Sequence, residues 1–344
     1  MRFSCDFIDF FVLSGSLFPT NQNGHKPLVC LRVSSCPLVS SLFVCLGGSK
    51  TFWTRSILAI FQLCRRFFAL QSFMYVAPTK RSRLWRPFFP REQLFQHGSF
   101  IEHRVDLPLA KLPAPCSLVF FSDLHWNSQE EQRYDALLLA LQKEPPDYLL
   151  FGGDLFLCLD HAASAWDWLG QLPARLAKIA VLGNRESKVF WQKTSFWQTQ
   201  YSRRGFNCLV NESLDPGPQA PLFFGLDDCR YGRPEWQACR ELEHCDRALI
   251  TLSHNPDALA EAGSGFIGQL CFSGHTHGGQ IRLPLWGPLY TSSRYGSQFV
   301  SGWRQRNDGC LCHISCGIGE SGYGLFRRRW RCPPEFTRVN LKPA

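Results

Sequence analysis

The chain has 344 residues, is 45% hydrophobic, and carries a formal net charge of +9 with 16 cysteines. That is enough apolar material for one large core, roughly 200–250 residues of domain plus an extension. The charge favours acidic partners such as phosphates, nucleic acid or an anionic membrane face. No C-x-x-C pair occurs, and irregular cysteines in a chain of this length suit a reducing compartment.

In chain order, residues 1–54 show neither a helical nor a strand period. Asp6 and Asp9 break the apolar start, so it does not read as a secretory signal. The uncharged run 33–49 falls short of the roughly 20 apolar residues that a spanning helix needs. Residues 1–55 are therefore expected to be a poorly ordered extension, or sequence upstream of the true start. Between 56 and 76, Ile57, Ile60, Phe61, Leu63, Phe67, Phe68, Leu70 and Met74 recur at helical spacing, with Arg65 and Arg66 among them. Lys80, Arg81, Arg83, Arg86 and Arg91 follow. A greasy helix edged with cations can lie in a bilayer interface. Residues 56–99 are thus expected to associate with a membrane surface; packing on the domain core is the competing expectation.

From residue 100 the pattern becomes globular. Residues 101–107 read as an edge strand and 117–121 as a buried strand ending at Ser122-Asp123-Leu124-His125. Residues 130–143 read as a helix burying Tyr134, Leu137, Leu138 and Leu141. A strand at 148–151 ends at Gly152-Gly153-Asp154, and one at 179–182 at Gly183-Asn184-Arg185-Glu186, each followed by a helix (163–169 and 189–201). Strands at 248–252 and 270–272 end at His254 and at Gly274-His275-Thr276-His277-Gly278-Gly279. Asn307-Asp308-Gly309 signals a hairpin between 298–303 and 310–315, and 335–341 reads as a closing strand. Cys310, Cys312 and Cys316 lie in this apolar run and read as buried thiols rather than zinc ligands. Alternating strands and helices imply an α/β sheet, with ligands collecting at strand carboxyl ends.

Five polar motifs follow five expected strands. Together Asp123, His125, Asp154, Asn184, His254, His275 and His277 offer two carboxylates, four imidazoles and one amide. Mixed oxygen and nitrogen donors suit Mn, Fe or Zn. Seven ligands exceed one ion, and a bridging carboxylate between two ions uses them all. Asp160 and His161 could line the pocket but are expected to cap a helix, and Glu186 to orient a ligand.

D-x-H, G-D, G-N, a lone H and G-H-x-H, in that order, resemble the calcineurin-like metallophosphoesterases over about two thirds of the chain. The resemblance implies an α/β fold of four layers, two mixed sheets flanked by helices, spanning residues 100–344. It implies two divalent cations, one on Asp123, His125 and His277, the other on Asn184, His254 and His275, with Asp154 bridging. The family pattern reads G-N-H-[DE], and that histidine stabilises the reacting phosphate or protonates the leaving group. Here Arg185 stands in its place, and arginine cannot give up a proton. The G-N-R-[DE] variant resembles the bacterial UDP-2,3-diacylglucosamine pyrophosphatases of lipid A synthesis. The expected substrate is therefore a phosphoanhydride such as a UDP-linked acylated sugar, hydrolysed to UMP and a lipid monosaccharide phosphate. Asp154 and Arg185 would be central to catalysis, and Arg327, Arg328 and Arg329 could hold phosphate or lipid headgroups. The expected location is the cytoplasmic face of the inner membrane, with no nucleic-acid partner. A general phosphodiesterase, or a metal- and membrane-binding protein without turnover, are the alternatives. Oligomeric state is not set by the sequence.

Overall fold

The computed structural model describes residues 82–127, 131–189, 192–322 and 327–344, together with two short strands near the N-terminus. These are β1 (Val29–Val33) and β2 (Leu42–Leu46), paired antiparallel where no strand had been expected. The helix expected over 56–76 lies outside the described residues. Two compact units result, Met1–Gln71 and Ser72–Ala344. The second holds every element that follows.

Its first strands are β3 (Trp85–Pro87), β4 (Glu92–His97), β5 (Phe100–Leu109) and β6 (Cys116–Phe121). Helix α1 (Glu131–Lys143), β7 (Tyr148–Phe151), α2 (Ala162–Gln171), β8 (Ala177–Ala180), α3 (Thr194–Ser202) and β9 (Phe206–Cys208) come next. Then follow β10 (Glu212–Leu214), β11 (Leu222–Gly225), α4 (Trp236–Arg240), β12 (Leu249–Leu252), α5 (Pro256–Glu261) and β13 (Leu270–Ser273). A short ribbon, β14 (Arg282–Leu283) and β15 (Gly287–Pro288), precedes β16 (Gly302–Arg306), β17 (Leu311–Ile314) and β18 (Glu335–Pro343).

Two seven-stranded mixed sheets result, in the orders β4-β5-β18-β6-β7-β8-β9 and β10-β11-β12-β13-β17-β16-β3. Strand alternation explains how they stack. On β6, Leu118 and Phe120 join Leu150, Phe223, Ile250 and Phe272 in the core between the sheets. Val119 and Phe121, one residue out of phase, pack with Tyr134, Leu137, Trp166 and Trp197 of the helices on the outer face. The second sheet's outer face, with Phe224, Leu249 and Cys312, packs on Leu259 and Trp236 of α5 and α4. Strands buried on both faces have no polar side to show, which is why they read as short apolar runs. The layers are helix, sheet, sheet, helix, as expected.

The structure extends this fold upstream of residue 100. β3 pairs with β16 and β4 with β5, so the segment expected to precede the domain contributes a strand to each sheet. Nor is β5 an edge: β4 flanks it on one side and β18 on the other. Glu102 is 2% exposed and accepts from Arg338 Nε at 2.7 Å and Arg104 Nη2 at 2.9 Å. The strand expected at 179–182 lies two residues earlier, at β8, and the hairpin strand expected at 298–303 begins at Gly302. The helix expected over 189–201 forms from Thr194. Cys310, Cys312 and Cys316 are buried, as read. No helix among the described residues is long and apolar enough to cross a membrane.

Candidate metal centre

In the first sheet β6, β7 and β8 are parallel neighbours, and in the second β12 and β13. The loops leaving their carboxyl ends carry Asp123 and His125, Asp154, Asn184, His254, and His275 and His277 in turn. All seven side chains meet at one edge of the sandwich. His125 Nε2 lies 3.0 Å from His277 Nε2, 3.6 Å from Asp154 Oδ2 and 4.0 Å from Asp123 Oδ1. His254 Nε2 lies 3.1 Å from His275 Nδ1, 3.2 Å from Asn184 Oδ1 and 3.7 Å from Asp154 Oδ1. Asp154 therefore presents one oxygen to each cluster.

The backbone is bent hard to achieve this. Asp123, His125, Asp154, His275 and His277 all have positive φ, between 42° and 68°. Side chains rarely adopt that region, and such strain collects at functional sites. Glycines make room. A Cβ on Gly183 would lie 2.1 Å from Asp154 Oδ1, and one on Gly274 2.4 Å from Asp123 Oδ2.

Hydrogen bonds aim the donors. His254 Nδ1–H donates to the Gly152 carbonyl at 2.8 Å, which leaves Nε2 facing the site. Asp123 Oδ2 accepts from Ser122 Oγ at 2.6 Å and from the His275 amide at 2.9 Å. Its Oδ1 is buried without a hydrogen-bond partner among the described residues. Glu186, fully buried, accepts from the amides of Asp154 (3.1 Å), Leu155 (2.7 Å) and Gly183 (3.0 Å). It thus locks the loop after β7 to the loop after β8, orienting Asp154 through its backbone. Burial and the neighbouring Asp154 charge push its carboxyl up to about 7.

This donor set fits divalent cations. Burial, reinforced by the positive charge of Arg185, holds His125 well below the ordinary imidazole range. Burial likewise depresses His277, with Arg329 adding to it, and His275, with His254 adding to it. Neutral rings offer lone pairs. Burial works the same way on His254, but the carboxylates of Asp154, Asp123 and Asp228 outweigh it and raise that ring to about 9. Around His254 Nε2, His275 Nδ1, Asn184 Oδ1 and Asp154 Oδ1 converge, so the spot demands positive charge, which a proton or a cation can supply. Asp123, His125 and His277 group closely enough to hold one ion, and Asp123, Asp154 and His254 another.

Arg185 sits at the rim, half-buried. Its amide donates to Asp154 Oδ1 at 2.9 Å and its guanidinium to the Leu157 carbonyl at 2.9 Å. Of the C-terminal arginines, Arg329 is the one whose described contacts reach the site. Its Nη2 lies 3.5 Å from His277 Nδ1 and donates to the carbonyls of Cys316 and Gly317. Arg327 is half-buried and Arg328 exposed. Asp160 and His161 form a 3-10 turn leading into α2, and no side-chain cap is made there, so capping is not their role. Sequence reasoning missed Asp228. It follows β11, the parallel neighbour of β12, and is buried with its Oδ2 accepting from the Arg230 and Tyr231 amides. Its signal was a further acidic pair, Asp227-Asp228, just beyond a strand end.

Residues 117–279 match the family model of the calcineurin-like phosphoesterases. The matched stretch contains all seven of the converging side chains. The chain is 28% identical to the uncharacterized metallophosphoesterase YkuE of Bacillus subtilis, over 65% of this chain and 78% of that one. It is 29% identical to the phosphodiesterase YaeI of Escherichia coli, over 66% and 83%. A solved dimetal phosphatase from Danio rerio aligns over 59% of this chain and 88% of its own, with 14% identity and a TM-score of 0.39.

Proposed function

We propose that the protein is a two-metal hydrolase that cleaves phosphodiester-type P–O bonds whose leaving groups depart without a proton. One observation carries this: two donor clusters share Asp154, and the adjacent rim position holds Arg185, which cannot act as an acid. Asp123, His125 and His277 would hold one cation and Asn184, His254 and His275 the other, with Asp154 between them. Bound divalent ions supply Lewis acidity and lower the pKa of water towards neutrality. The chain's own contribution is placement and charge. Glu186 fixes the Asp154 backbone and the Arg185 amide its carboxylate, and the Arg185 guanidinium offsets charge developing on a phosphoryl oxygen.

Two substrate readings follow. A phosphodiester accords with the relative named as a phosphodiesterase. A phosphoanhydride, with UDP-2,3-diacylglucosamine as the specific candidate, accords with Arg185, since phosphate leaves as a stable anion whereas an alkoxide needs the missing acid. The test is parallel turnover of bis(p-nitrophenyl) phosphate, an alkyl diester and UDP-2,3-diacylglucosamine in oxygen-18 water. We expect label in a phosphorus-containing product and alkyl-diester rates at least about 100-fold below those of the other two. Comparable alkyl-diester turnover, or label outside phosphorus, overturns the proposal. Faster anhydride than aryl-diester cleavage selects the UDP-lipid.

A further inference from the structure

Directly after the histidine loop the chain leaves the site as the ribbon β14–β15. The ribbon is anchored inward. Arg282 Nε donates to the Gly278 carbonyl at 2.7 Å, and Gly279 lacks the Cβ that would lie 2.3 Å from Pro288 Cβ. Leu289 N donates to Ile281 O at 2.8 Å, and the Trp330 segment lies along the other side, bridging Ile281. This small platform is therefore tied to the metal centre through residues 277–282.

Its outward face is the reverse of a soluble surface. The tip carries Leu285 and Trp286, 103% and 84% exposed, with Leu285 held at a φ of +66°. Leu289 and Trp330 extend the apolar strip. Arg328 and Arg331, both exposed, flank Trp330. No Asp or Glu occurs between residues 262 and 307, nor between 321 and 334. A projecting apolar tip beside cations, with no carboxylate in either segment, matches an anionic lipid interface. A protein partner would be expected to meet charges of both signs.

We propose that this platform docks the protein on an anionic bilayer, with Leu285 and Trp286 entering the interface and Arg328 and Arg331 contacting lipid phosphates. The metal centre is thereby held over the lipid surface, where acylated substrates reside. The proposal rests on the reading of the site as a hydrolase only for that last consequence, because docking itself needs no turnover.

The test is sedimentation of the full chain with vesicles of phosphatidylglycerol and phosphatidylcholine, or of phosphatidylcholine alone. Turnover of bis(p-nitrophenyl) phosphate is followed separately in lipid-free solution. We expect binding to the anionic vesicles to fall at least about tenfold in Leu285→Ser/Trp286→Ser. Leu176→Ser should bind as the parent does. That leucine is also exposed but precedes β8, at the strand end opposite the site. Soluble-substrate turnover should hold in all three proteins, and its loss in the parent would count against the hydrolase reading alone. Equal binding by the double variant, equal loss in Leu176→Ser, or no preference for anionic vesicles overturns the proposal. So does a change in self-association, rather than lipid binding, in the double variant.

Discussion

A guanidinium at position 185 changes what a phosphate-cleaving site can do about its leaving group. Arg185 adds permanent charge beside Asp154 and removes a proton donor. Replacing it with histidine should therefore split two activities. Arg185→His is expected to lose about 100-fold in kcat/KM on a phosphoanhydride, as removal of one charge-stabilising donor typically does, and to gain on alkyl diesters. Steady-state kinetics on both substrates check this, and undiminished anhydride cleavage with a diester gain would refute the role given to Arg185. The seven positions that converge were legible because each is a polar motif at a strand end. Asp228 showed only as an acidic pair beyond a strand end, and the reach of Arg329 to His277 and the backbone role of Glu186 did not show at all. Their partners are main-chain amides and carbonyls, which leave no pattern in sequence.

At the scale of elements, the site is a set of strand-to-loop exits whose geometry depends on glycine. A Cβ on Gly183 would meet the Asp154 amide nitrogen at 2.4 Å as well as its carboxylate. Backbone cannot swing aside as a flexible side chain would. Gly183→Ala should cost about 2–3 kcal/mol of stability and weaken Mn²⁺ binding at least about tenfold. Thermal melts and metal titration read the two effects, and unchanged affinity would mean that the two loops are not mutually constrained. The sequence announced these exits as Gly-Asp, Gly-Asn and Gly-His. It did not announce that five of the seven converging residues take positive φ, because local preference argues against it and only the packed fold enforces it.

At the scale of the molecule, the last strand is the least expected part. β18 lies inside the first sheet, paired with β5 along its whole length and with β6 on its other side. Sequence shows a terminal strand but not its neighbours, since pairing across more than 200 residues leaves no local trace. Removing residues 335–344 should therefore abolish folding rather than fray an end, as far-ultraviolet circular dichroism and solubility would report. A native-like spectrum would contradict this placement. The same strand carries a charge cluster. His103 Nδ1 contacts Glu92 at 3.0 Å and its Nε2 contacts Glu335 at 3.3 Å, while Glu335 accepts from the Cys316 amide at 2.7 Å. Burial opposes charge on His103, but Glu335 and Glu92 raise it from 6.5 to about 10. Burial also opposes ionisation of Glu335, but His103 holds it down from 4.5 to about 2. The histidine's contribution is full below 6.5 and fades as pH rises towards 10. The glutamate's is full above 4.5 and fades as pH falls towards 2. Both are present between 4.5 and 6.5, where His103→Gln should cost about 3 kcal/mol. The Tm difference between the two proteins should shrink on either side of that window, and a pH-independent difference would rule the cluster out as its cause.

The convergence of residues from five loops on a pair of cations is tested most directly by elemental analysis of the purified chain, paired with activity in chelator. Two divalent ions per chain are expected, with turnover abolished by chelation and restored by Mn²⁺. In Asp154→Asn, loss of the shared carboxylate should lower occupancy at both positions. Purified protein free of transition metals that hydrolyses its substrate at an undiminished rate in chelator would contradict the account.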